Sequence, residues 1–415
     1  MSLGAGRGLH TMAMTPLSPV GVDTLHALMA AHVASGQMPG IVTLVARGDD
    51  VQVDVIGTPS FTDTTPLARD AIFRIASLTK PITAVATMAL IDDGVLRLDQ
   101  TVDELLPELA DRQVLRSIDA ELDDTVPAHR SITVEDLLTF RMGFGSVMAP
   151  PDTYPIQRAE AARGLQSIGG PPWPPVAHDP DSWIAALGSM PLMYQPGERW
   201  LYNSSAQVLG VLLARATGQD LAAVLTERIF GPLGMGDTGF SVPVDHVHRL
   251  TTFYLPDPVT GDLTLLDDPR GSWWATPPSF PDASGGLVST IDDYWAFVSM
   301  LLGGGEWRGR RILSEPAITR MTTDHLTSAQ RTESSMFLGE HAGWGLGLAA
   351  PAEGAGDQPL PCGFGWDGGS GTAWRTSRER GVSGILLTQR QLNSPEPPAV
   401  YEDFWAGVNA AAGYV

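Results

Sequence analysis

Apolar residues recur at helical spacing along residues 20–35 (VGVDTLHALMAAHVAS) and stop at Gly36, which predicts a helix. The next stretch, IVTLVARGDDVQVDVIG, holds two β-rich runs around Gly48-Asp49-Asp50, the pattern of a hairpin. From Ser77 to Asp93 the helical pattern returns. Ile82, Val85, Ala86, Ala89 and Leu90 fall on one stripe, Pro81 suits the first turn and Gly94 supplies the stop. Between about residue 100 and residue 280 the chain reads as helices separated by irregular stretches. The clearest of these helices are 132–139 and 206–217, whereas the proline-rich segment 169–180 reads as loop. A further helix spans 291–302 and ends at Gly303-Gly304-Gly305; TAWRTS (372–377) and GVSGILLTQ (381–389) read as strands, and 398–411 as a C-terminal helix. Strands at both ends with helices between them predict an α+β fold whose single sheet is split in sequence. On this reading residues 18–98 and 282–415 form the sheet domain, covered by the terminal helices, residues 99–281 form an inserted helix-rich lobe, and 1–17 is a disordered leader.

Composition narrows the function classes. At 415 residues the chain can bury a large core, and 43% apolar with 18% charged residues is ordinary for a globular protein. Forty-seven acids against 26 bases give a net charge of −21, which disfavours nucleic acid as a partner. No run of about 18 apolar residues occurs, so no membrane span is expected. The N-terminus lacks the apolar core of a secretion signal, and the single cysteine, Cys362, excludes an intrachain disulfide; a cytoplasmic location is the expectation. Of the 26 basic residues only one is a lysine, Lys80. Arginine replaces it wherever any cation will do, and arginine cannot give up its proton in a protein. The lone lysine therefore marks a place where an amine is needed as a base.

Lys80 belongs to the run Phe73-Arg74-Ile75-Ala76-Ser77-Leu78-Thr79-Lys80. Residues i and i+3 share a helix face, so the Ser77 hydroxyl and the Lys80 amine can meet. With Ser77 opening the helix, its backbone N–H is unpaired and the helix dipole favours negative charge beside it. Nucleophile, base and half an oxyanion hole then come from one turn of backbone. No G-x-S-x-G is present, and His246-Val247-His248, the one close histidine pair, reads as a surface loop rather than a metal site.

The ordered motifs from about residue 20 to 410 resemble the Ser-x-x-Lys penicillin-recognising hydrolases, in the branch of class C β-lactamases and family VIII carboxylesterases. Phe73–Arg74 through Lys80-Pro81-Ile82-Thr83 is similar to the nucleophile helix of that family. The turn Asp92-Asp93-Gly94, ITVEDLLT (132–139), PGERWLYNS (196–204), GGLVST (285–290) and GWGLG (343–347) follow in family order. The resemblance implies a β-lactamase/transpeptidase-like fold, a Ser77 acyl-enzyme, and no metal or cofactor. It also implies that Tyr202, in the Tyr-x-Asn position, sits beside Lys80 with a lowered pKa and serves as base. Ser204 replaces the usual asparagine, where it would hydrogen-bond Lys80 or substrate. The Lys-Thr-Gly motif, on an edge strand in the lactamases, falls on Trp366-Asp367-Gly368, close to the Trp-Gly-Gly of the esterases. Trp366, Asp367 and Gly368 are thereby expected to line the substrate site, Asp367 repelling an anion, and the N–H of Gly369 to face that of Ser77 across the oxyanion hole. The expected substrate is a small ester; a β-lactam or D-amino-acid peptide, acyl transfer to an alcohol, and a silent scaffold are the alternatives. Oligomeric state is left open.

Overall fold

The computed structural model describes residues 15–165, 176–355, 358–393 and 397–414. Most of the predicted leader and residues 169–175 of the predicted loop lie outside these. The elements around the site, numbered in chain order, are α1 (Pro19–Ala34), β1 (Gly40–Arg47), β2 (Asp50–Gly57), β3 (Phe73–Arg74), α2 (Thr79–Asp92), α3 (Val134–Leu138), α4 (Ser204–Thr217), β4 (Val288–Ser289), α5 (Ile291–Leu302), α6 (Ser328–Glu333), α7 (Ser335–Leu338), β5 (Ala342–Trp344), β6 (Ala349–Pro351), β7 (Phe364–Gly368), β8 (Thr372–Ser377), β9 (Val382–Thr388) and α8 (Ala399–Ala411).

Seven strands form one antiparallel sheet in the order β5-β6-β7-β8-β9-β1-β2. The hairpin turns on Gly48 and Asp49, with Arg47 opposite Asp50. The first two and the last five strands meet where β1 pairs with β9, Ile41 opposite Thr388 through Arg47 opposite Val382. This is the α+β, β-lactamase/transpeptidase-like architecture expected from the sequence.

Both faces of the sheet are covered, which is why β1 is buried almost throughout instead of alternating with solvent. Ile41, Val45, Ala373 and Leu386 pack on one face with Leu25 and Met29 of α1 and Phe404 and Val408 of α8. Val42, Leu44, Trp374, Ile385 and Leu387 pack on the other with Ile82 and Val85 of α2 and Phe297 of α5. The terminal helices approach closely because two glycines face the contact. A Cβ on Gly21 would lie 2.2 Å from the Ala410 carbonyl oxygen, and one on Gly407 would lie 2.7 Å from Leu25 Cδ1. Each fully buried side chain of this kind contributes roughly 1.5–3 kcal/mol.

Two details differ from expectation. The strand carrying Trp366 is third from the sheet edge, but β6 pairs with it at one position, Ala349 opposite Gly365. The strand end at Trp366–Gly368 thus lies beyond that pairing. The predicted helix from Ser77 begins instead as a 3-10 turn over Ala76–Leu78, and α2 starts at Thr79. Ala76 has φ 42°, a left-handed conformation uncommon for alanine, so the chain bends sharply between β3 and Ser77.

Candidate active site

The short β3–β4 ladder and the segment 282–288 hold the Ser77 turn in place. Arg74 pairs with Val288, the Ile75 N–H donates to the Leu287 carbonyl (3.1 Å), and the Leu287 N–H donates to Thr79 Oγ1 (3.2 Å). From the opposite side, Thr372 Oγ1 donates to the Ile75 carbonyl (3.1 Å) and Ser370 Oγ donates to the Arg74 carbonyl. Gly368 is required there: a Cβ would meet the Ile75 carbonyl oxygen at 2.5 Å. The turn after β7 is thus held directly against the residues that precede Ser77.

Ser77, Lys80 and Tyr202 converge as the sequence predicts. Lys80 Nζ lies 2.9 Å from Ser77 Oγ, and the Tyr202 hydroxyl lies 2.8 Å from the same oxygen. Lys80 Nζ also sits 4.4 Å from the centroid of the Tyr202 ring. Its second hydrogen bond goes to the Ser284 carbonyl at 2.6 Å. That carbonyl is fixed by Asp282, whose carboxylate accepts from the Ser284 N–H (2.7 Å) and hydroxyl (2.6 Å) and from Gln207 Nε2 (3.0 Å).

The amine is 1% exposed, and desolvation pulls its pKa down from 10.5 to about 7, against a smaller upward pull from Asp282. A neutral amine donates one N–H to Ser284 and offers its lone pair to the Ser77 hydroxyl proton.

Tyr202 corrects the expectation of a lowered phenol pKa. Phe140, Trp200, Phe337 and Trp366 surround its ring, with centroids 5.0–6.1 Å away. Desolvation of the hydroxyl pushes its pKa well above the ordinary phenol value, and the bonds to Ser77 and Trp366 only partly offset this. Tyr202 is therefore a protonated donor to Ser77 at neutral pH, and the group tuned toward neutrality is Lys80.

The third motif also differs from its expected role. Trp366 is 5% exposed and its Nε1–H donates to the Tyr202 hydroxyl at 2.8 Å, so it orients Tyr202 and has no free polar atom for a substrate. Side chains alternate across a strand. Asp367 opposes Ala373 and so points to the other face, where Arg375 binds both its oxygens at 2.8 Å. The expectation that Asp367 repels an anion at the site is corrected: its charge is neutralised away from Ser77. Ser204 is buried at the start of α4 but is not a hydrogen-bond partner of Lys80, whose two bonds go to Ser77 and Ser284. Asn203, before it, has φ 82° and turns the chain from Tyr202 into α4.

The N–H groups of Ser77 and Gly369 have no acceptor among the described residues. The 3-10 turn closes through the N–H groups of Leu78 and Thr79 instead. Sequence reasoning missed Asp282, Ser284 and the rings of Phe140 and Phe337. The pair Gly285-Gly286 was the available signal for the first two, since a Cβ on Gly286 would press on the Asp282 carbonyl oxygen at 2.9 Å.

The model of the Beta-lactamase family matches residues 25–403. The chain belongs to that family. Protein Rv1367c of Mycobacterium tuberculosis (strain ATCC 25618 / H37Rv) is 39% identical over 367 residues, 86% of each chain. Esterase EstB of Burkholderia gladioli is 28% identical over 396 residues, 90% of this chain and 92% of that one. Among solved structures, EstCE1, a hydrolase with promiscuous acyltransferase activity, superposes with a TM-score of 0.75 at 22% identity, over 94% of this chain and 98% of that chain, and shares the fold. With the family comes the enzyme class: the protein is a serine hydrolase-type enzyme. No single helix among the described residues is long and apolar enough to cross a membrane.

Proposed function

We propose that the protein is an esterase that works through a Ser77 acyl-enzyme. The observation that carries this is a serine oxygen held by both a buried amine of pKa about 7 and a protonated phenol. In acylation Ser77 Oγ attacks the ester carbonyl carbon while its proton passes to Lys80 Nζ. The oxyanion takes the N–H groups of Ser77 and Gly369. When the carbon–oxygen bond breaks, the departing alkoxide takes the proton held by Lys80, restoring the neutral amine, while Tyr202 stays protonated as a donor to Ser77 Oγ. Water then attacks the acyl-enzyme by the same route in reverse, releasing the carboxylic acid and Ser77.

An ester suits the site better than a β-lactam acid. Where the lactamases carry their motif lysine, this chain has Trp366, whose side chain has one polar hydrogen, bound to Tyr202. The Arg375 guanidinium, two residues past its paired tryptophan's neighbour Ala373, is bound to Asp367. EstB, similar over nine-tenths of this chain, is an esterase, which supports the same reading.

Intact-mass and peptide mass spectrometry after incubation with a fluorophosphonate or a short p-nitrophenyl ester tests it. The expected result is one adduct, on Ser77, and none in Ser77→Ala. Absence of any adduct and of turnover across ester chain lengths would reject the proposal, and faster turnover of a chromogenic cephalosporin than of any ester would replace it with the lactamase reading. An added alcohol that captures the acyl group faster than water does would make the enzyme an acyltransferase through the same intermediate.

A further inference from the structure

Six aromatic rings from five separate stretches of chain meet beside Ser77: Phe140, Trp200, Tyr202, Phe337, Trp344 and Trp366. Four of them, Phe140, Trp200, Trp344 and Trp366, are 7% exposed or less. Tyr202 and Phe337 keep some surface. Their centroids are 5.0 Å apart with the planes tilted by 33°, and the Tyr202 hydroxyl is on Ser77. Phe337 is therefore the one partly exposed apolar ring of this group, a ring's width from the phenol that touches the nucleophile.

Its position is built, not incidental. Phe337 lies on the short helix α7, directly after α6, and its ring also packs edge-on against Trp200 at 5.7 Å. The preceding helix is tied to the turn segment that leads into Tyr202. Gln330 Nε2 donates to the carbonyls of Gly197 and Glu198, each at 2.9 Å, and Glu333 faces Arg199 at 3.7 Å. The arginines of this neighbourhood are engaged: Arg199 with Glu333, Glu198 and the face of Tyr194, and Arg375 with Asp367. The surface next to the nucleophile is aromatic, and the nearby arginines already face carboxylates.

We propose that Phe337 is a specificity-determining residue: the apolar, uncharged part of the ester lies on the Phe337–Tyr202 surface, so the enzyme prefers esters with an extended apolar group over acetate esters. This rests on the Ser77 acyl-enzyme reading above. An apolar group laid on this surface leaves water without disturbing any hydrogen bond of the site, because both polar atoms nearby, the Tyr202 hydroxyl and the Trp366 N–H, are already paired. An anionic substituent there would lose hydration and gain no arginine that lacks a carboxylate.

The test compares kcat/KM for p-nitrophenyl acetate, butyrate and hexanoate, and for ethyl, butyl and benzyl acetates, in wild type, Phe337→Ala and Phe337→Leu. Covalent labelling of Ser77 and the melting temperature are measured on each protein. Wild type is expected to favour the longest member of one of the two series. Phe337→Ala should reduce that preference about tenfold, chiefly through KM, and Phe337→Leu should restore most of it. A wild type indifferent to chain length, or a preference that survives in Phe337→Ala while Ser77 still labels and the melting temperature holds, would overturn the role given to Phe337. Failure of Ser77 to label in wild type would instead remove the acyl-enzyme reading on which it rests. A Phe337→Ala protein that loses activity equally on every ester together with its melting temperature would show a packing residue only, and would also overturn the proposal.

Discussion

Two buried basic side chains flank Ser77 at equal distance in sequence, Arg74 before it and Lys80 after it, and the chain treats them in opposite ways. Arg74 is 3% exposed and is given a carboxylate of its own. Its guanidinium pairs with Asp267, donates to the Thr251 carbonyl at 2.6 Å, and lies 4.9 Å from the Trp274 ring. Burial pulls its pKa down, Asp267 pulls it back up, and it remains a cation. Lys80 is 1% exposed and has no carboxylate in direct contact. The nearest candidate, Asp282, is spent on Ser284 and Gln207, so desolvation wins and the pKa falls to about 7. Equal burial thus yields an anchor where a counter-ion is supplied and a proton acceptor where it is withheld. The arginine ties the nucleophile strand to the residues around 251–274, and the lysine works on the nucleophile itself.

The comparison breaks most severely at Lys80. Replacing it by arginine restores a permanent cation, and replacing it by methionine removes the base. Either variant should lower kcat for ester hydrolysis by about 10³-fold. Their stabilities should part ways. The folded pKa of about 7 lies below the 10.5 of the unfolded chain, so between those values the unfolded state binds more protons and wild-type stability rises with pH. Lys80→Met should abolish that slope and should not lower the melting temperature at pH 7, which differential scanning calorimetry across the pH range would show. A sharp loss of stability in Lys80→Met would mean that the amine is an anchor after all.

At Arg74 the order of effects reverses. Arg74→Met leaves the Asp267 carboxylate buried without its partner and should cost about 3–5 kcal/mol of folding free energy in urea denaturation. The protein that remains folded should still label at Ser77. A smaller effect is expected at Trp366→Phe, which keeps an aromatic ring but removes the N–H bonded to the Tyr202 hydroxyl. One hydrogen bond is worth about 1 kcal/mol, so kcat should fall roughly fivefold.

How much of this was legible in the sequence follows the reach of each interaction. The Ser77–Lys80 contact lies within one turn of backbone, and a lone lysine among arginines pointed to it directly. The hairpin and the strands at both ends gave the split sheet, because period and turn residues are local. What depended on register was hidden. Asp367 reads as a site residue until Gly365 is seen to lie opposite Arg375, which sets acid and base diagonally on the far face. The direction of the Tyr202 pKa was hidden for a similar reason, since the rings that desolvate it arrive from residues 140, 200, 337 and 366. Ser284 acts through its carbonyl, which every residue has, so its side-chain identity carried no signal. The 3-10 turn at Ser77 was missed because the apolar stripe that defines the helix begins only at Ile82.

The central claim is that Lys80, as a neutral amine, takes the proton of Ser77. Its most direct test is the rate of Ser77 acylation by a p-nitrophenyl ester, followed in single turnovers between about pH 5 and pH 9. The account predicts a rate that rises with pH, is half-maximal at about 7 and then levels off, with the acyl group on Ser77. A rate still climbing near pH 9 would point to the Tyr202 phenol as the base, and an acyl group on any other residue would contradict the account outright.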